Sequence, residues 1–199
     1  KNSAKAVEWY RRSAEQDYPW AQDRLGDCYY YGRGVAENKA EAVKWYRKAA
    51  EQDIANAQYS LGYCYINGEG VEKNSAKAVE WYRKSAGNGN TSAQFMLGVC
   101  YEYGQSVTLS KAIAAEWYRK AAEQGYDIAQ YRLGVFYENG YGVTQNKEEA
   151  AKWYKKAADQ GDEDAKKALD RMQSSGMGTA VAAGVAAAGV GILWKFLNS

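Results

Sequence analysis

Apolar residues in this chain return with two periods at once. At short range they recur every three to four positions, as in Ala57, Leu61, Cys64 and Tyr65, closed by Gly68; that is the helical period and not the strand period. At long range the whole pattern repeats every 36 residues. Trp-Tyr stands at Trp9-Tyr10, Trp45-Tyr46, Trp81-Tyr82, Trp117-Tyr118 and Trp153-Tyr154. Ala-Gln opens each copy at Ala21, Ala57, Ala93 and Ala129, and Leu-Gly follows at Leu25, Leu61, Leu97 and Leu133. A fixed period of this size means stacked supersecondary units. Four full copies run 21–56, 57–92, 93–128 and 129–164; residues 1–20 match the back half of a copy and 165–172 the front half.

Each copy punctuates itself. Gly68-Glu69-Gly70-Val71 breaks the helical pattern, because glycine ends helices and makes tight turns at least steric cost. Asn74 then serves as an N-cap, and Ala78, Trp81, Tyr82 and Ser85 restart the period. Asn38 with Glu41 and Asn146 with Glu149 have capping-box spacing. Each repeat is predicted as a helix of about three turns, a turn, and a helix of about four turns. One such pair cannot bury its own apolar face, so stacking must build the core from the repeated Leu, Tyr, Trp and Ala. Gly26, Gly62, Gly98 and Gly134 are expected to let helices approach closely.

The string Ala-Gln-x-x-Leu-Gly-x-x-Tyr-x-x-Gly-x-Gly-Val-x-x-Asn-x-x-x-Ala-x-x-Trp-Tyr resembles the Sel-one-like repeat, a relative of the tetratricopeptide repeat. In the second full copy it reads Ala57, Gln58, Leu61, Gly62, Tyr65, Gly68, Gly70, Val71, Asn74, Ala78, Trp81 and Tyr82. The resemblance covers roughly residues 1–172. It implies an all-α, right-handed α-solenoid that binds other proteins and has no chemistry of its own. The third copy departs from the pattern, with Ser106 in place of Gly34, Gly70 and Gly142, and Ser110 in place of the Asn cap. A non-glycine residue is uncommon at positive φ, so this turn is expected to take a different path.

Charge changes this picture little. A net charge of +2 argues against a dedicated nucleic-acid binder. Arg11-Arg12, Arg47-Lys48, Arg83-Lys84, Arg119-Lys120 and Lys155-Lys156 form a ladder along the second helices. It reads as an anion-binding stripe or, more simply, as a solvated face paired with Glu15, Glu51, Glu123 and Asp159. Cys28, Cys64 and Cys100 share one repeat position that holds Phe136 in the fourth copy, which marks an apolar slot and not a ligand. Neighbouring copies of that position lie about 10 Å apart, too far for a disulfide, and buried free thiols suit a reducing compartment.

Candidate chemistry is scarce. With no His there is no imidazole base, no Ser-His or Cys-His pair and little prospect of a metal site. No phosphate loop or dinucleotide fingerprint is present, and carboxylate pairs such as Glu148-Glu149 sit at helix starts, where the helix dipole favours them. The chain is therefore read as a non-enzymatic protein–protein scaffold or adaptor without cofactor, or alternatively as an accessory subunit of a membrane complex.

Binding is sought where the copies disagree. Counting the opening Ala as one, positions three, seven and ten of the first helices vary and share a helical face. They carry Asp23, Asp27 and Tyr30; Tyr59, Tyr63 and Ile66; Phe95, Val99 and Glu102; Tyr131, Val135 and Glu138. First helices of such arrays line the concave surface, so Tyr30, Tyr59, Tyr63, Ile66, Phe95, Val99, Tyr131 and Val135 are candidate partner contacts. The alternative is that some of these residues fill the seam between repeats.

The C-terminal segment differs in material. Residues 173–194 carry no charge and are mostly Gly, Ala and Val. After a hinge at 173–176, residues 177–197 read as a membrane helix with small-residue packing at Ala180, Gly184 and Ala188, or else as a hydrophobic docking segment. Lys166, Lys167 and Arg171 before it, against Lys195 after it, place the array on the cytosolic or matrix side. The chain opens inside a repeat, so further residues are expected upstream.

Overall fold

The computed structural model describes residues 2–175, and all regular structure among them is helical. Ten helices follow one another: α1 (Asn2–Glu15), α2 (Pro19–Tyr31), α3 (Lys39–Glu51), α4 (Ala55–Asn67), α5 (Ser75–Gly87), α6 (Thr91–Tyr103), α7 (Lys111–Glu123), α8 (Asp127–Asn139), α9 (Lys147–Asp159) and α10 (Glu163–Ser175). The even-numbered helices are the first helices of the repeats, and the odd-numbered ones the second. From α2 onward each helix has 13 residues, so the second helices are about half a turn shorter than their spacing predicts. The α10 helix runs through the first three residues of the expected hinge. The predicted membrane helix at 177–197, with Ala180, Gly184 and Ala188, lies outside the described residues. No helix among the described residues is long and apolar enough to cross a membrane.

The turns follow from local chemistry. Gly32, Gly68 and Gly140 end α2, α4 and α8 in the left-handed conformation, at φ of 65°, 74° and 72°. Asn38, Asn74 and Asn146 cap the second helices by accepting the Glu41, Lys77 and Glu149 N–H at 2.9–3.0 Å. The third copy does not deviate. Ser106 adopts φ 53°, the same region as Gly34, Gly70 and Gly142, and Ser110 accepts the Ile113 N–H at 3.3 Å. A bond from Ser110 N–H to the Tyr101 carbonyl, 2.9 Å long, repeats those from Asn38 to Tyr29, Asn74 to Tyr65 and Asn146 to Tyr137. The expected change of path is thus overturned: the shared backbone bond holds the turn, and Ser106 accepts the left-handed strain.

The chain divides into two compact units, Lys1–Leu97 and Gly98–Ser199, with the boundary inside α6. In the first, Val7, Ala14, Ala21, Leu25 and Cys28 form one buried cluster, flanked by Tyr10, Tyr29, Val35 and Trp45. In the second, Tyr131, Val135, Ala150, Tyr154, Ala157, Ala165 and Ala168 form another, closed by Leu169 and Met172 from α10.

Candidate partner-binding face

The tyrosine of each Trp-Tyr pair is the core residue. Tyr46, Tyr82, Tyr118 and Tyr154 are at most 2 % exposed, and each lies flat against the glycine of the Leu-Gly pair in its own repeat. A Cβ at Gly26, Gly62, Gly98 or Gly134 would stand 2.5–2.7 Å from the ring, so the close approach expected of these glycines is a demand of one aromatic partner. The tryptophans are not the core that the sequence suggests, since Trp9 is exposed, Trp45, Trp81 and Trp117 are half-buried, and Trp153 alone is buried. Each is roofed by the second residue of the basic ladder: Arg12, Lys48, Lys84, Lys120 and Lys156 lie 3.8–5.3 Å from the ring centroids. The first ladder residues Arg11, Arg47 and Arg119 donate to the Tyr29, Tyr65 and Tyr137 hydroxyls of the following helix. Aromatic partners therefore account for most of the ladder, and the expected carboxylate pairing appears at Lys155–Asp159.

A second ladder was not legible in the sequence. The Gln of each Ala-Gln pair reaches back to a backbone carbonyl eight residues earlier: Gln22 to Ala14, Gln58 to Ala50, Gln94 to Ala86 and Gln130 to Ala122. Its own carbonyl oxygen accepts a side-chain N–H from 30 residues later, from Gln52, Asn88 and Gln160 to Gln22, Gln58 and Gln130. Nothing in a sequence announces which buried carbonyl a glutamine will satisfy.

The structure sorts the candidate contacts. Ile66, Phe95, Val99, Tyr131 and Val135 are buried, whereas Tyr30, Tyr59 and Tyr63 are half-buried. Position three turns toward the second helix of its own repeat, with Tyr59 5.8 Å from Tyr82 and Tyr131 5.6 Å from Tyr154 between ring centroids. Position ten does likewise, at 6.2 Å between Tyr30 and Tyr46. The open stripe of α2 is Trp20, Arg24, Asp27 and Tyr31, at four-three-four spacing, with Trp20 63 % and Tyr31 56 % exposed. In α4 the matching positions are Asn56, Ser60, Tyr63 and Asn67. The face is rotated by about one residue from the one the sequence suggests, and Trp20, Arg24 and Tyr31 are additions to it.

In the first unit the stripe has a defined polar floor. Tyr30 donates to Glu69, whose carboxylate also meets Lys39 at 3.2 Å, and the Lys39 ammonium stands 5.0 Å from the Tyr30 ring. Burial, then Glu69, holds the Tyr63 phenol above its ordinary pKa. Arg33 stacks on Tyr31 at 4.5 Å. In the second unit Glu102 accepts from Arg132 and, at 2.6 Å, from Tyr118, with Lys111 at 3.1 Å. Burial works to raise the Glu102 carboxyl, but Arg132, Tyr118 and Lys111 outweigh it and hold it below its ordinary value.

Against this geometry the comparisons are decisive for family. The Sel1 repeat model matches residues 1–18, 21–54, 55–90, 91–126 and 127–162. The chain belongs to the Sel1 repeat family. A protective antigen of uropathogenic Escherichia coli with this fold is similar to it at 40 % identity and a TM-score of 0.84, over 89 % of this chain and 38 % of that one. A Sel1 repeat protein from Oxalobacter formigenes is similar at 36 % identity and a TM-score of 0.81, over 85 % of this chain and 50 % of that one. An immunity protein from Pseudomonas aeruginosa, Pa5087, is similar at 28 % identity and a TM-score of 0.52, over 80 % of this chain and 59 % of that one. The chain thus spans half or less of the first two relatives. No curated protein matches it.

Within the Sel1 repeats the cysteine position is the apolar slot expected of it. Cys28, Cys64 and Cys100 are free and buried. Burial pushes the Cys64 thiol up to about 12 and the Cys28 thiol in the same direction, away from reactive thiolate. Among the described residues no group of His, Cys, Asp and Glu has metal-binding geometry.

Proposed function

We propose that this Sel1 repeat chain is a protein-binding scaffold, a right-handed solenoid whose first-helix stripe receives a peptide segment of a partner. The observation that carries the reading is the open stripe of α2 and α4: Trp20, Arg24, Asp27 and Tyr31 beside Tyr63, where the stack itself has no need of large aromatics. Aromatic and arginine side chains dominate binding energy at interfaces, and this stripe carries both. The reading is of recognition without chemistry. The candidate contacts Tyr59 and Tyr30 serve it as the flank of the stripe and Ile66 of α4 supports it, while Phe95, Val99, Tyr131 and Val135 are buried in α6 and α8.

The test is a bead-displayed heptapeptide library presented to purified protein. Tyr31→Ser with Tyr63→Ser is expected to reduce retained peptide at least about tenfold while helicity stays intact. Equal retention by the double variant would move the binding face elsewhere. A tether through residues 177–197 rests on the hydropathy of that segment, and an array on the cytosolic or matrix side on Lys166, Lys167 and Arg171 before it against Lys195 after it. Carbonate extraction of full-length chain against residues 1–176 tests it, and a full-length chain released as readily as the shorter one removes it.

A further inference from the structure

Four buried or half-buried carboxylates of the first helices, Glu102, Glu138, Asp23 and Asp27, fall into two kinds. In the second unit each is met by a cation from the next first helix and by a hydroxyl from the second helix of its own repeat. Glu102 has Arg132, 30 residues on, together with Tyr118 and Lys111. Glu138 has Arg171, 33 residues on, at 2.7 Å to both oxygens, together with Tyr154. In the first unit α2 instead presents two carboxylates one turn apart, Asp23 and Asp27. Asp27 accepts the Tyr46 hydroxyl at 2.9 Å and Arg24 at 3.1 Å. Asp23 has a side chain 2 % exposed, and its Oδ2 accepts no hydrogen bond; the Arg24 guanidinium reaches that oxygen only as an ionic contact at 3.4 Å.

One half-exposed arginine is therefore shared by two acids, whereas Glu102 alone has two cations. The next first helix brings no second cation. Applying the 33-residue offset of Arg171 and Glu138 to Asp27 arrives at Ser60, and Asp23 and Asp27 are themselves followed at their own repeat positions by Tyr59 and Tyr63. Burial does most to raise the Asp23 carboxyl, the Asp27 charge adds to the rise, and the Arg24 guanidinium opposes it. Asp27, at 24 % exposure, opens the pair to the stripe between Trp20 and Tyr31.

We infer that the Asp23–Asp27 pair is a recognition site for an arginine side chain of the bound peptide, seated between Trp20 and Tyr31. This deepens the scaffold reading above and rests on it. A guanidinium is planar and offers five donors in a fork, so it spans two carboxylates one helical turn apart and stacks on a neighbouring aromatic face; an ammonium does the first poorly and the second less well. In this site the peptide arginine does for Asp27 what Arg171 does for Glu138, and it gives the pair a second cation.

The experiment uses the full chain and five heptapeptide libraries, with Arg, Lys, citrulline, Leu or Glu fixed at the centre. Retention is expected in the order Arg, Lys, citrulline, with Arg over citrulline by about tenfold or more, the worth of a charge-assisted bond. Two variants read the site. Asp23→Asn with Asp27→Asn should erase the preference for Arg over citrulline while the far-UV helix signal stays intact. Ser60→Arg places a guanidinium at the offset position and should both raise the melting temperature and erase the preference, without removing either acid. Equal retention of Arg and citrulline by the parent, or an Arg preference unchanged in Ser60→Arg, overturns the arginine site and leaves the scaffold standing. Retention of none of the five libraries overturns the scaffold reading itself.

Discussion

Tyr82 and Gly62 show how narrowly a repeat residue can be specified. The ring is fully buried and lies where a Cβ on Gly62 would meet it at 2.7 Å. Gly62→Ala is expected to cost about 1–3 kcal/mol, the usual range for overpacking, although alanine is the better helix former. Tyr82→Ala should cost about 3–5 kcal/mol, and Trp81→Ala less, because Trp81 is half-buried under Lys84. Urea midpoints of the three variants check that order, and a larger loss at Trp81 than at Tyr82 would reverse the assignment of the core. Asp23 makes a second residue-scale case. Burial pushes its carboxyl from 3.8 up to about 6, with Asp27 adding to the rise and Arg24 opposing it. Between about pH 4 and 6 the native chain holds a proton that the unfolded chain has lost, so this contribution to stability is complete below pH 4 and lost as pH rises through 6. Asp23→Asn carries no such loss. Its melting temperature relative to the parent should therefore be more favourable at pH 7.5 than at pH 4.5, and a difference independent of pH would refute the burial of this charge.

Helices, turns and caps were legible in the sequence because each has a local cause that the 36-residue period repeats. The glycine C-caps, the Asn38, Asn74 and Asn146 N-caps and the Gly26–Tyr46 type of contact all lie within one repeat. The orientation of the first helices was less legible. Ala93 to Cys100 in α6 are eight successive buried residues, so polarity gives no contrast from which to set a face. That is why the stripe at positions three, seven and ten differs by one residue from the open one, and why Trp20 and Tyr31 went unnoticed. The Glu102–Arg132 pair was hidden for another reason, since its two residues lie 30 apart on different helices and no motif joins them. Arg132→Met should cost about 3 kcal/mol by leaving a buried carboxylate short of a partner, at the lower end of the usual range because Lys111 remains. Adding Glu102→Gln should recover part of that loss. Chemical denaturation of the single and double variants measures it, and a double variant less stable than Arg132→Met would mean that the carboxylate is not the source of the penalty.

At the scale of the whole molecule, stability is built from neighbours. Within each unit the principal contacts run between helices adjacent in sequence, from α1 to α5 in the first and from α7 to α10 in the second. The side-chain ladders obey the same rule, with Gln52 to Gln22, Asn88 to Gln58 and Gln160 to Gln130 each joining one repeat to the next. A chain held in this way has a stability close to a sum of repeat and interface contributions, and damage to one repeat spreads mainly to those it touches. Tyr154 is a sharp place to apply the idea. Its ring fills the space beside Gly134, its hydroxyl binds Glu138, and Glu138 in turn holds Arg171 of α10. Tyr154→Ala is expected to raise amide hydrogen exchange in α8, α9 and α10 by an order of magnitude or more, while α2, α3 and α4 exchange as in the parent. Exchange followed by mass spectrometry under native conditions resolves these segments. A rise of equal size from α2 to α10 would show that the repeats open as one cooperative body, and the nearest-neighbour account of this chain would then fail.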